Sequence, residues 1–256
     1  MSEKISRRKL IVSGLTLAAG AAGVTGLAGV LRLADRYGLI PPDSGGLYGV
    51  GETLTYSSQR LLMGSQSLAR EFNRSDISSV VPVNGKPPDE EVYQRLLANG
   101  FRDWRLTVDG LVARPSTFSL AELKGFPSHT QITHQACEEG WSFIAEWTGV
   151  RLSYVLDMVG VDPRARWVVF FPYDDFWESI DMADALHPQT YLAYGMNGGD
   201  IPAEHGAPLR SRVARQLGYK SIKYLSRVTV TDTLKPFGKG VGGINPEYGY
   251  SWWAGI

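Results

Sequence analysis

The chain holds a single cysteine, Cys137, among 256 residues. One thiol cannot form an intramolecular disulfide, nor build the multi-thiolate frameworks of structural zinc or iron–sulfur sites. Cys137 is therefore a core residue, a nucleophile, or a metal ligand whose partners are of another kind. Net charge is missing as well, since 26 Lys and Arg balance 26 Asp and Glu. Without a global basic field, neither nucleic acid nor an anionic membrane surface is an expected partner. Histidine is scarce: His129, His134, His187 and His205 show no metalloprotease spacing. There is no Gly-Lys-Ser/Thr phosphate loop, and Gly140-Trp141-Ser142 lacks the second glycine of a nucleophile elbow. Gly238 to Gly243 fits the dinucleotide fingerprint literally, but too few residues follow to open a βαβ unit, so it reads as a loop.

What is present points to one globular domain behind an export segment. With 43% hydrophobic and 20% charged residues the chain can bury a large core, and 29 glycines and 14 prolines imply short elements joined by turns. Ser6-Arg7-Arg8-Lys9-Leu10-Ile11 precedes an apolar, Ala- and Gly-rich stretch that reaches Leu31. Residues 1–34 thus read as a twin-arginine signal, addressed to the twin-arginine export machinery and the periplasm or another extracytoplasmic site. Its apolar stretch is near the roughly 20 residues that span a bilayer, so a retained inner-membrane anchor is the other outcome. Residues 35–56, with Pro41-Pro42, read as a linker and 57–256 as the working domain.

Apolar spacing predicts helices over Gln59–Phe72, Glu90–Leu97 and Arg151–Met158, the last ended by Gly160. Ser119 with Glu122 predicts a capping box. Alternation at Trp104, Leu106 and Val108 predicts a strand, as do Trp167–Phe171, Thr190–Tyr194, Arg210–Arg215 and Arg227–Thr231. Val80–Pro88 is expected to be extended, with a turn at Asn84-Gly85. The fold class is α+β, a mixed β-sheet core with short helices.

Polar and acidic residues surround Cys137 in Thr133-His134-Gln135-Ala136-Cys137-Glu138-Glu139-Gly140-Trp141-Ser142, which suits a core strand badly. As a metal ligand, it would need most other donors from an organic cofactor, and a lone thiolate joined by cofactor sulfur suits a soft or high-valent metal. This run and Trp147-Thr148-Gly149-Val150-Arg151-Leu152 resemble the Cys-Val-Glu-Gly-Trp-Ser and Trp-Thr-Gly-Val-Pro-Leu segments of the sulfite oxidase superfamily of molybdopterin enzymes. The likeness continues in order through Met196-Asn197-Gly198, His205-Gly206-Ala207-Pro208-Leu209-Arg210 and Gly218-Tyr219-Lys220-Ser221-Ile222-Lys223.

That resemblance implies a sulfite-oxidase-type molybdopterin-binding domain with a molybdenum-molybdopterin cofactor and Cys137 as the catalytic metal ligand. For the pterin phosphate it points to Arg210, Lys223 and the backbone around Ser221 and Ile222, chemistry that guanidinium, ammonium and N–H donors suit. His205 and Asn84 are similar to pterin-contacting residues of the family. Tyr250 is read as a proton donor or hydrogen-bonding group near the metal, Trp141 and Trp147 as core aromatics, and Asn197-Gly198 as a hairpin turn.

The chain also departs from the family pattern. Sulfite oxidases carry an arginine before the asparagine that Asn84 resembles, and others after the metal cysteine, where this chain has Val83 and Glu138-Glu139. It resembles the exported methionine sulfoxide reductase subunits in lacking an immunoglobulin-like dimerisation domain and a haem domain, which implies a monomer. His205 and Pro172 nevertheless differ from the asparagine and threonine of those reductases. The implied function is an exported oxidoreductase that transfers an oxygen atom to or from a small-molecule substrate, by sulfite-type oxidation or S-/N-oxide reduction. Its redox partner would be a membrane cytochrome or cytochrome c. The alternatives are a non-catalytic pterin-binding module and a metal-free thiol enzyme with Cys137 as nucleophile.

Overall fold

The computed structural model describes residues 34, 38–46, 48–63 and 67–256. Apart from Ala34, the twin-arginine segment lies outside the described residues. No described helix is long and apolar enough to cross a membrane. The chain divides into two compact units, Met1–Gly64 and Ser65–Ile256.

In the first unit a helix runs over Gly49–Leu62, with Tyr56 buried and the Arg60 guanidinium 5.4 Å from its ring centre. Apolar spacing predicts this helix later, over Gln59–Phe72, and leaves residues 35–56 as coil. In the second unit, Phe72 donates its N–H to Ile132 O at 2.9 Å and Glu71 bridges Thr133, so the end of that predicted span is extended chain on a sheet edge.

The second unit is built on two five-stranded sheets. One orders β2 (Ser116–Ser119), β1 (Arg105–Gly110), β10 (Leu225–Thr231), β5 (Trp167–Pro172) and β6 (Glu178–Asp181). In it β1 and β10 are parallel and the other pairs antiparallel, which makes the sheet mixed. The other joins β3 (Ser128–Ala136), β4 (Ser142–Arg151) and β7 (Thr190–Met196). Strand β7 also carries β8 (Gly199–Asp200) and β9 (Arg210–Val213). Asn197 and Gly198, at φ 50° and 84°, form the two-residue turn between β7 and β8, a left-handed pair for which Asn-Gly is the favoured sequence.

Local sequence explains most of these elements. Helix Leu152–Val159 buries Leu152, Val155, Leu156 and Val159, the i, i+3, i+4, i+7 stripe of an amphipathic helix. Each such side chain contributes roughly 1.5–3 kcal/mol of burial. Gly160, at φ 70°, ends it by donating to Leu156 O and Asp157 O. The Ser119–Glu122 capping box is present, with Ser119 Oγ accepting from Glu122 N at 3.2 Å and Glu122 Oε2 accepting from Ser119 N at 2.7 Å. The main core packs this helix against Leu106, Val108, Val168, Phe170, Leu192 and Val228 from both sheets.

Strand β3, which pairs antiparallel with β4, escapes sequence periodicity because its buried positions are polar. Gln131, Thr133 and Gln135 point inward while His134 and Ile132 are only partly covered. An interior lined by amides and hydroxyls marks a site rather than an apolar core.

Gly149 in β4 sits at a register shift against β7. A Cβ there would lie 2.2 Å from Leu192 O, well inside van der Waals contact, so the backbones would have to separate. Gly149→Ala is expected to lower the unfolding free energy by about 1–3 kcal/mol, seen as a lower urea midpoint with an unchanged m-value. An unmoved midpoint would contradict the close approach.

Candidate active site

Strands β3 and β4 are joined by the turn that carries Cys137. Cys137 N donates to Trp141 O at 2.9 Å and Gly140 N to Cys137 O at 3.1 Å, with Gly140 left-handed at φ 93°. The thiol is 8% exposed and faces a cavity of about 300 Å³. Its Sγ donates to Glu138 Oε2 at 3.3 Å. Burial, opposed by the Glu139 main-chain N–H and reinforced by the Glu138 carboxylate, pushes the thiol up to about 11. At neutral pH it holds its proton until a cation competes for the sulfur. No group of three His, Cys, Asp or Glu side chains could hold a metal ion among the described residues, so a metal on Cys137 would need donors from outside the chain.

The same cavity is lined by a wall of cations. Arg210 opens β9, donating from Nη1 to His205 O and from Nη2 to Ser221 O, both at 2.8 Å. Its guanidinium lies 5.0 Å from the Trp147 ring centre, and its buried Nε has no hydrogen-bond partner. Arg212, two residues on along the strand, does not line the cavity but lies 5.7 Å from the same ring and donates to His134 O at 2.7 Å. No carboxylate pairs with either arginine among the described residues. Burial pulls Arg210 down to about 10, and burial with the neighbouring Arg210 charge pulls Arg212 down to about 9, so both stay charged at neutral pH.

Lys223 completes this wall. Its Nζ donates to Asn84 O at 2.6 Å and Glu204 O at 3.0 Å. Burial, then the Arg210 charge, pulls the ammonium down to about 8. Gly206, at φ 109°, lets the Lys223 stem pass, because a Cβ there would sit 2.8 Å from Lys223 Cβ. Burial and the charges of Arg210 and Lys223 lower the His205 imidazole, which favours its neutral form. A desolvated set of cations with an unpaired N–H is a receptor for an anion.

The pocket brings together Asn84, Cys137, His205, Arg210, Ser221 and Lys223, together with Ile222. Two expectations need correction. Tyr250 is not a lining residue: it is half exposed, and its ring packs on that of Tyr219 at 6.1 Å. The Ile222 N–H is committed to Ser211 Oγ at 2.7 Å, and Ser221 N donates to Gly218 O at 2.9 Å, so neither amide is free for a phosphate. Ile222 supplies apolar wall, and Ser221 supplies a hydroxyl that also accepts from Val213 N at 3.1 Å. Sequence reasoning missed Gln135, Tyr219, Tyr224 and Asp174, which also line the pocket. The i, i+2 spacing of Gln135 to Cys137 was the available signal, since such residues share a strand face.

The turn Gly218–Lys220 is anchored from behind by a buried ion pair. Lys220 Nζ donates to Glu178 Oε2 at 2.6 Å and Ser179 O at 3.1 Å, both side chains of the ion pair having 0% exposure. Glu178 Oε1 also accepts from Asn245 N at 2.9 Å, and Trp252 Nε1 donates to Ser179 Oγ at 2.9 Å. Leu217 N donates to Ala254 O at 2.8 Å, fastening the C-terminal stretch to the pocket turn. Burial raises the Glu178 carboxyl while Lys220 opposes the rise. Lys220→Met strands a buried carboxylate and is expected to cost about 3–5 kcal/mol. Adding Glu178→Gln should recover part of that loss in urea unfolding; a single-variant cost under about 1 kcal/mol would show that the pair is not enclosed.

Comparison with known proteins follows the same geometry. A family model described as "Oxidoreductase molybdopterin binding domain" matches residues 94–236. A "Putative protein-methionine-sulfoxide reductase subunit YedZ1" from Azospira oryzae is 38% identical over 197 residues, covering 77% of this chain and 71% of the relative. The "Protein-methionine-sulfoxide reductase catalytic subunit MsrP" of Ralstonia nicotianae is 31% identical over 163 residues, 57% of this chain and 49% of that one. The chain thus spans about half the length of that MsrP relative. Among solved structures, the sulfane dehydrogenase SoxCD from Paracoccus pantotrophus is similar at 27% identity and a TM-score of 0.49, over 51% of this chain and 39% of its own. With more than half of its residues matched by the family model, this chain belongs to the molybdopterin-binding oxidoreductase domains of the sulfite oxidase family.

Proposed function

We propose that this chain is the catalytic subunit of an exported system that reduces methionine sulfoxide to methionine, with Cys137 ligating the molybdenum of a bound molybdopterin. The observation that carries the reading is one pocket holding both the Cys137 thiol and the Arg210–Lys223 cation wall. The residues fit that group. Buried guanidinium without a carboxylate, an unpaired Nε and a desolvated ammonium suit the terminal phosphate of the pterin, while the chain's only thiol suits the metal. Arg210, Lys223 and the Ser221 hydroxyl would hold the phosphate; Asn84 and His205 would line the pterin.

When bound, molybdopterin supplies two-electron oxygen-atom transfer, and the sulfoxide, two protons and two electrons become thioether and water. The chain supplies the site. Glu138, hydrogen-bonded to Sγ, is placed to take the thiol proton as the metal binds. Glu138 and Glu139 put negative charge beside the sulfur, which opposes a dianion such as sulfite and tolerates a neutral S-oxide. The relatives, named as methionine sulfoxide reductase subunits, support the same direction of reaction. The twin-arginine segment supports export, and the description of those relatives as subunits supports a membrane partner that passes electrons.

Two measurements test this. Protein made in a host that synthesises molybdopterin should reduce methionine sulfoxide with a reduced viologen dye and should oxidise sulfite far more slowly. Cys137→Ser should abolish the reduction; a fully active serine variant, or faster sulfite turnover, would overturn the reading. Arg210→Gln removes hydrogen bonds to a charged group worth about 1.5–3 kcal/mol, so bound pterin, read by fluorescence after oxidation, should fall at least about tenfold with the circular dichroism unchanged. Unaltered pterin content would remove Arg210 from the phosphate site.

A further inference from the structure

We infer that the pocket mouth selects methionine sulfoxide in cationic segments of polypeptide and discriminates against acidic ones; this rests on the reductase reading above. Two aromatic residues flank the cavity, Trp141 tied to a carboxylate through its indole and Phe176 through its main-chain N–H. In the β3–β4 turn, Trp141 Nε1 donates to Glu139 Oε2 at 2.7 Å. In the loop between β5 and β6, Asp174 Oδ1 accepts from Phe176 N at 3.0 Å, and Phe176 is 42% exposed. Trp141, Phe176 and Asp174 all line the pocket. An aromatic lip suits a methionyl side chain, whose sulfur and methyl groups pack favourably against rings.

The charge of the mouth follows from what the cations are already doing. Glu138, Asp174 and Glu204 line the cavity, opposed by Lys86, Arg210 and Lys223. Lys86 is ion-paired with Asp89. Arg210 is buried in the cavity wall with its Nε unpaired, and Lys223 is fixed between the Asn84 and Glu204 carbonyls. A phosphate on these last two, carrying about −1.5 to −2 charges, neutralises them. The surface left to meet a polypeptide is then acidic. Exposed Glu139 extends it on one side, and exposed Glu90 and Asp175 beside Asp174 extend it on the other. A lysine or arginine flanking the oxidised methionine finds carboxylates on either side of the entrance, while a flanking aspartate or glutamate meets like charge.

The test uses cofactor-loaded protein and two peptides that differ only in lysine or glutamate residues flanking one methionine sulfoxide. At low salt the lysine peptide should show about tenfold higher kcat/KM, within the range that electrostatic steering supplies. At about 0.5 M salt the two should converge, because screening lengths shrink to a few Å. The double variant Glu139→Gln/Asp174→Asn should bring the low-salt ratio toward one, mainly through KM of the lysine peptide. Equal rates for both peptides at low salt, or a ratio unmoved by the double variant, would overturn the charge selection alone. Reduction of neither peptide by protein with metal and pterin bound would overturn the reductase reading, and this inference with it.

Discussion

Arg210 is buried against the face of Trp147 with two carbonyls for partners and, among the described residues, no carboxylate beside it and nothing to satisfy its Nε. Enclosing a charge costs several kcal/mol unless something compensates it. Here the compensation from within the protein is partial: the indole face, two main-chain oxygens, and a neighbouring Arg212 that worsens the repulsion. Around this unbalanced charge the other features of the pocket fall into place. His205 is biased toward its neutral form, Lys223 loses part of its affinity for a proton, and Gly206 clears the space that Lys223 needs. The unbalanced charge is local to this pocket, where an anion would offset it.

A site that waits for an anion needs a frame that holds its shape without one. The second sheet supplies half of it through β3, β4 and β9, whose inward residues are amides, hydroxyls and arginines. The other half comes from behind. The Lys220–Glu178 pair, enclosed on every side, ties the turn before Ser221 to β6 and to the C-terminal residues Asn245 and Trp252. Such a pair adds little net stability over an apolar equivalent, yet it fixes register, because neither partner tolerates misplacement. The thiol lines the same cavity, on a tight turn held by two main-chain bonds.

Much of this was legible in the sequence where local chemistry dominates. Asn197-Gly198, the Ser119–Glu122 box and the Leu152–Val159 stripe all form as their residue types require. The family likeness placed Cys137, His205, Arg210 and Lys223 in one region, and they line one cavity. What was not legible depends on tertiary context. The strand β3 hid because Gln131, Thr133 and Gln135 invert the usual apolar-in pattern. Tyr250 read as a hydrogen-bonding group near the metal, but its half-exposed ring packs on Tyr219 and does not line the cavity. The Ile222 amide read as a phosphate donor, but Ser211, eleven residues earlier in the chain, accepts from it. The role of Lys220 required knowing that Glu178 is also buried and faces it.

The central claim is that the single thiol of this chain is the protein's own bond to the metal. Molybdenum-edge X-ray absorption on cofactor-loaded protein, compared with a loaded Cys137→Ser variant, tests it directly. The account predicts that the variant loses one sulfur from the first coordination shell while the pterin sulfurs remain. Identical sulfur shells in the two proteins would contradict it.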